Sequence, residues 1–229
     1  MIDWHSHILP GMDDGSKSVE ESLVLLKMLS DQGADTIVAT PHFYANRESV
    51  AEFIERREKA YQRLQARVPE QYADILLGAE VRYYHGIGRM AQLDRLCIGD
   101  SRLLLLEMPM EKWTDYTVRE LMDLANTGNV RLMLAHIERY YSLQSKDAWN
   151  RLYDTDIQMQ VNAGFFTGIW TKRKALSFLE EGRVHLIGSD CHNIEHRPPR
   201  LGKAYENIEK KFGKEFAAQF IEYGRRLLE

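Results

Sequence analysis

The chain has 229 residues, 44% hydrophobic and 28% charged, with 30 basic against 34 acidic side chains and a formal charge of -4. That balance fits one soluble globular domain spanning residues 1–229 and excludes collagen-like, disordered and membrane-spanning classes. It offers no broad attraction to nucleic acid, and no segment suited to membrane insertion, so any phosphate recognition must be local. Two cysteines, Cys97 and Cys191, form neither a disulfide framework nor a CxxC pair, and the N-terminus lacks a basic segment followed by an apolar run. A reducing, cytoplasmic location is the expectation.

In chain order, IDWH near the N-terminus is a candidate strand, and Ser18 with Glu21 predicts a capping box opening a helix that Gly33 stops. TIVAT (36–40) is a β-rich run leading into Pro41-His42. A charged helix is expected over about 47–67, with Val50, Phe53, Ile54, Tyr61 and Leu64 inward. Mostly apolar runs then recur at 75–80, 102–107, 130–136, 157–162 and 184–190, with helical patterns at 114–127 and 171–182. Short apolar strands alternating with helices indicate a parallel sheet buried on both faces, and about seven strands suit a closed or nearly closed βα barrel better than an open sheet.

In such a barrel the C-terminal strand ends surround the mouth. Those ends carry His5 and His7, His42, Glu80, Glu107, His136, Asn162, Asp190 and His192, and Asp14 lies in the DDG loop after the first strand. His5 and His7, two apart on a strand, project the same way. One H-x-H identifies nothing, and a lone strand-end carboxylate commonly caps a helix. Nine imidazoles and carboxylates around one mouth are different, because like charges so close repel unless cations neutralise them. The number of ligands implies two or three ions. Mixed imidazole and carboxylate ligation without thiolate suits manganese, iron or zinc and disfavours calcium. Cys191, between two of these residues, reads as a small buried side chain turned away from the cavity.

Two loops at the same rim carry arginines: Arg139 in AHIERYY, and Arg197 and Arg200 in HNIEHRPPR. Arginine binds phosphate through planar, bidentate hydrogen bonds, and Arg139 and Arg197 are the stronger candidates. Metals beside arginines point to phosphoester hydrolysis: a metal-bridging hydroxide attacks phosphorus in line, the cations stabilise the equatorial oxygens, and an acid protonates the leaving alcohol.

Taken together, the N-terminal H-x-H, DDG, TPH, GAE, the glutamate after LLLL, AHIERY and SDCHN-x-x-x-RPP resemble the PHP superfamily of polymerase and histidinol phosphatase relatives. Within it, the chain looks most like the manganese-dependent bacterial protein-tyrosine phosphatases of capsule and exopolysaccharide clusters. The resemblance implies an α/β fold, a distorted (β/α)7 TIM-like barrel, with a trinuclear centre. It would assign His5, His7, Glu80 and Asp190 to one ion, Glu80, Glu107 and His136 to a second, and Asp14, His42 and His192 to a third, with Glu80 bridging. It also implies that Arg139 and Arg197 bind phosphate, and that the substrate is the phosphotyrosine tail of a membrane-associated bacterial tyrosine kinase controlling polysaccharide export. Two departures stand out. Phe43 and Tyr44 follow TPH, where they could flank an aromatic substrate or pack under a loop, and the C-terminus is short, which leaves oligomeric state open.

Cys191 to Arg197 satisfies C-x5-R, the spacing of cysteine-dependent tyrosine phosphatases. HNIEH has no glycine, however, and Pro198-Pro199 remove backbone donors where a phosphate loop needs them. The nearer alternatives are a phosphoesterase for histidinol phosphate, a nucleotide or nucleic acid on the same scaffold, or a metal-dependent module without turnover.

Overall fold

The computed structural model describes residues 1–229. All seven expected strand runs form strands, but the path breaks at two places and yields nine segments. They are β1 (Ile2–Ser6), β2 (Thr36–Ala39), β3 (His42–Phe43), β4 (Asp74–Leu77), β5 (Glu80–Arg82), β6 (Leu103–Glu107), β7 (Arg131–Leu134), β8 (Gln158–Asn162) and β9 (Leu186–Gly188). Both interruptions have local causes. Pro41 has no N–H to give the ladder, and its carbonyl accepts from Glu80 N at 3.0 Å. Gly78 sits where a Cβ would lie 2.9 Å from Ile98 Cγ1, and its carbonyl accepts from the buried Arg57 at 2.9 Å.

Every strand pairing is parallel. β1, β2 and β4 form one sheet, and β3, β5, β6, β7, β8 and β9 a second, the two joined because β2 leads into β3 and β4 into β5. Beyond β9 the chain returns to β1: Asp190 N donates to His5 O at 2.7 Å and His7 N to Cys191 O at 2.9 Å. The result is an α/β fold with a curled, fully parallel sheet.

The helices are α1 (Val19–Asp31), α2 (Val50–Gln65), α3 (Asp115–Asn126), α4 (Lys146–Tyr153), α5 (Ala163–Thr167), α6 (Lys172–Glu180), α7 (Leu201–Phe212) and α8 (Lys214–Arg226). Between β5 and β6 there are only short 3-10 turns. The Ser18–Glu21 box forms by half: Ser18 Oγ accepts from Glu21 N at 3.2 Å, while the Glu21 carboxylate takes Lys17 N instead. The complete box lies at Ser49–Glu52 on α2, which begins at Val50 rather than about 47. Phe53 and Leu64 are buried as expected, whereas Ile54 and Tyr61 cover the core from a half-buried position.

Alternation along the strands divides the apolar residues in two. Leu104, Leu106, Leu132 and Leu134 join a cluster of 52 buried residues that includes the helices' inner faces. Leu103, Leu105 and Met133 face the other way into a cluster of nine with Ile2, Trp4 and Leu186. Further along the same face, toward the C-terminal ends of the strands, polar side chains replace the apolar ones.

Candidate metal centre

Nine sequence-marked residues meet at that end of the sheet, all buried or nearly so except Asp14, whose side chain is 67% exposed. His5 Nε2 lies 3.1 Å from His7 Nε2, and both approach Glu80 Oε2, at 3.3 and 3.2 Å, and Asp190 Oδ1, at 3.7 and 3.6 Å. His136 Nε2 is 2.8 Å from Glu80 Oε1 and 3.9 Å from Glu107 Oε1. Asp14 Oδ1 stands 3.5 Å from His42 Nε2 and 3.6 Å from His192 Nε2. Ligand atoms come within 4.8 Å of one another in three overlapping groups: His5, His7 and Asp190; His42, Glu80 and Glu107; and His7, Asp14, His42 and His192. His42 therefore touches two groups.

The tautomers implied by the outer contacts make this an acceptor-rich cluster. His7 Nδ1 donates to Asp13 Oδ2 at 2.7 Å, His5 Nδ1 to Gln160 Oε1 at 3.3 Å, and His192 Nδ1 to the Asp190 carbonyl at 3.1 Å. Each ring then presents its Nε2 lone pair inward, the usual arrangement behind a metal ligand. His192 Nε2 is buried without a partner, as are His136 Nδ1 and His42 Nδ1, the last lying 2.9 Å from Glu80 Oε2 but outside hydrogen-bonding geometry. Lone pairs facing carboxylate oxygens across 3–4 Å gaps fit divalent ions. His136 and Asp190 also adopt positive φ, +33° and +51°, an uncommon conformation for residues with a side chain and one that aims both into the mouth.

The arginines close one side. Arg139 and Arg197 both donate to Asp190 Oδ2, Arg197 at 2.7 Å, and Asn162 Nδ2 donates to the same oxygen at 2.7 Å. With Arg200 and His196 they line a cavity of about 160 Å³ that contains no hydrophobic side chain. On the other side Arg82 donates to Glu107 at 2.8 Å, and Tyr44, Asn46, Arg82, Tyr83 and Tyr84 line a cleft of about 730 Å³. Tyr44 is the residue at the mouth, its ring 5.4 Å from that of His42, while Phe43 is core and packs on Phe53.

The family model for capsular polysaccharide synthesis, CpsB/CapC, matches residues 1–229. The chain belongs to the CpsB/CapC family. Tyrosine-protein phosphatase CpsB of Streptococcus pneumoniae is 34% identical, covering 100% of this chain and 98% of its own length. Tyrosine-protein phosphatase YwqE of Bacillus subtilis is 30% identical, covering 100% and 91%. Crystal structures of YwqE and of S. pneumoniae CpsB, described as unique metal-dependent tyrosine phosphatases, include a chain with a TM-score of 0.85 and 28% identity, covering 100% of this chain and 94% of that one.

Several residues of this CpsB/CapC site escape a reading based on strand ends. Asp13 stands beside the marked Asp14, yet it is Asp13 that binds His7 and accepts from Gly15 N and His42 N, each at 2.9 Å. Gly15 is required there, since a Cβ would meet His7 O at 2.4 Å. Gln160 accepts from His136 N at 2.7 Å as well as from His5 and donates to Asn162 Oδ1 at 3.0 Å, so that β8 links two histidines to Asp190. The signal was present: Gln158, Gln160 and Asn162 form a polar stripe of period two in an otherwise apolar strand. Cys191 is fully buried, and burial raises its thiol far above the usual range, which removes it as a nucleophile. Cys191→Ser is expected to keep aryl phosphate turnover within about twofold, since a small isostere in a structural site disturbs little; a folded, metal-loaded but inactive variant would restore the cysteine mechanism.

The charges of this CpsB/CapC site predict a pH dependence. Burial opposes a proton on His7, but Asp13 and Glu80 overcome it and raise the imidazole from 6.5 to about 10. Burial likewise opposes charge on Asp13, whose carboxyl His7 nevertheless holds well below the usual range. A raised histidine stabilises the metal-free fold fully below about 6.5 and loses that contribution as pH climbs toward 10; a depressed aspartate contributes above about 4 and loses it on acidification. Calorimetry of metal-stripped protein should therefore show the melting temperature falling from pH 6.5 to 10, with metal binding releasing protons and tightening as pH rises. A flat profile in the metal-free protein would contradict this charge arrangement.

Proposed function

We propose that this chain is a metal-dependent protein-tyrosine phosphatase of capsular or exopolysaccharide synthesis. Its substrate is the phosphotyrosine tail of a membrane-associated bacterial tyrosine kinase, and its location is cytoplasmic. The observation that carries the reading is the convergence of Arg139 and Arg197 on Asp190, whose other oxygen faces His5 and His7. A phosphoryl group in the 160 Å³ cavity meets two guanidinium groups and abuts Asp190, whose other oxygen borders the imidazole and carboxylate cluster. The family's names and the metal dependence of the solved relatives support the same conclusion.

In this reading the curled sheet is a distorted (β/α)7 barrel, each interrupted strand counting once. It holds two or three ions, with manganese the first choice and iron or zinc the alternatives. His5, His7, Glu80 and Asp190 hold the first, Glu80, Glu107 and His136 the second, and Asp14, His42 and His192 the third. Bound ions would supply Lewis acidity and a water activated at neutral pH. The chain's own groups do the rest. Arg139 and Arg197 orient the phosphate and neutralise charge growing on its equatorial oxygens. Asn162 and Gln160 fix Asp190 and His5. Tyr44 and Tyr84 flank the cleft that receives the aromatic ring, and a phenolate leaving group demands less proton transfer than an alkoxide. Residues 1–229 contain no helix long and apolar enough to cross a membrane.

The test is turnover by metal-stripped protein resupplied with manganese, iron, zinc or magnesium. A tyrosine-phosphorylated peptide is compared with a phosphoserine peptide, histidinol phosphate and single-stranded DNA. Metal-restored selectivity for phosphotyrosine is the expected result. Preference for another ester moves the protein to a different phosphoesterase class, and no turnover with any metal leaves a binding module.

A further inference from the structure

The connection between α5 and α6 exposes Ile169 and Trp170 almost completely, at 91% and 92%, whereas Trp4, Trp113 and Trp149 are all buried. After Thr171 come Lys172, Arg173 and Lys174, all exposed and none engaged in an ion pair. The first turn of α6 contains no acid, so these cations sit where the helix macrodipole disfavours them. Lys174 Nζ lies over the Tyr141 and Phe178 rings, 5.4 and 5.3 Å from their centroids, on an exposed side chain that no carboxylate neutralises. A bare Ile-Trp knob beside three cations that lack acidic partners suits a partner with an apolar interior and an anionic surface.

We propose that Ile169, Trp170 and the three cations form a docking patch for an anionic lipid bilayer. The indole and the isoleucine would enter the headgroup boundary while Lys172, Arg173 and Lys174 meet lipid phosphates. Two side chains on one turn, ringed by charge, are too small for a stable protein interface. A two-fold contact with a second copy would set like cations against one another. The patch is also near the site along the chain. α5, which leads into the patch, starts directly after Asn162 at the end of β8, and its Gly164 lines the arginine cavity, so the patch follows within a few residues of that cavity's wall. The inference stands whichever ester the centre cleaves.

Because the other tryptophans are buried, the change in emission on binding reports chiefly on Trp170. Mixing the metal-loaded protein with vesicles containing about 30% phosphatidylserine should shift emission to the blue, allow quenching by brominated acyl chains, and carry protein into the vesicle pellet, with loss at high salt. Pure phosphatidylcholine vesicles should do none of this. Trp170→Ser should weaken binding by about tenfold or more, and the Lys172→Gln, Arg173→Gln, Lys174→Gln triple variant by about 100-fold, at roughly fivefold per cation. Unchanged aryl phosphate turnover in both variants would show that the fold is intact. The proposal fails if the wild type stays in the supernatant, if binding survives both substitutions, if emission tracks protein concentration without lipid because copies associate, or if an acidic peptide binds where vesicles do not.

Discussion

Replacing Asp190 by asparagine should lower kcat/KM on an aryl phosphate by more than about 100-fold and reduce bound metal, because in the proposed centre Asp190 would ligate directly, and losing a direct ligand exceeds the 10- to 100-fold typical of outer-sphere partners. Asparagine is the informative substitution. It tolerates the +51° φ that alanine would strain, so the backbone is preserved while the charge is removed. One carboxylate oxygen takes three donors, from Arg139, Arg197 and Asn162, and the other faces His5, His7 and His192 at 3.6–3.7 Å. An amide cannot serve both sides. If its NH2 faces the arginines, donor meets donor; if it faces the imidazoles, a ligand position is lost. Elemental analysis beside kinetics separates the cases, and full activity with full metal occupancy would remove Asp190 from the centre.

Most of this site was legible because β-strands deliver side chains to one end at regular positions. His5 and His7, Glu107, His136 and Asp190 each terminate an apolar run, and no long-range information was needed to see that such ends meet. What the strand rule could not resolve was the role of groups one residue or one pleat away. Asp13 and Asp14 look equivalent in DDG, and only the packing of Gly15 on His7 gives Asp13 the inner position and Asp14 the solvent-facing one. Phe43 and Tyr44 were likewise undecided until the short β3 put one ring into the core and the other at the mouth. The two strand breaks illustrate a related limit. Pro41 and Gly78 are visible punctuation, but their surroundings come from afar in sequence: Glu80 N donates to the Pro41 carbonyl, and Ile98 and Arg57 pack on and bond Gly78.

Arg139 and Arg197 carry the second large effect, and its signature differs from that of Asp190. Both guanidinium groups rest on Asp190 Oδ2; Arg139 is 30% and Arg197 37% exposed, so a phosphoryl group can reach both. A charge-assisted hydrogen bond contributes about 1.5–3 kcal/mol, which predicts a loss of roughly 10- to 100-fold in kcat/KM for either alanine variant. The two share one acceptor and would share one ligand, so the remaining guanidinium can partly compensate for a single loss. The double variant should therefore fall by about 1,000-fold or more, beyond the product of two mild single losses. Bound metal should stay at the wild-type level, because neither arginine donates a lone pair to the cluster. Lysine at either position should recover only part of the activity, since a point charge cannot reproduce the planar bidentate fork. Should the double variant lose its metal together with its activity, the arginines would be holding Asp190 in place rather than the phosphate. Should it turn over normally, the polar cavity beside Asp190 would not be where the phosphoryl group binds.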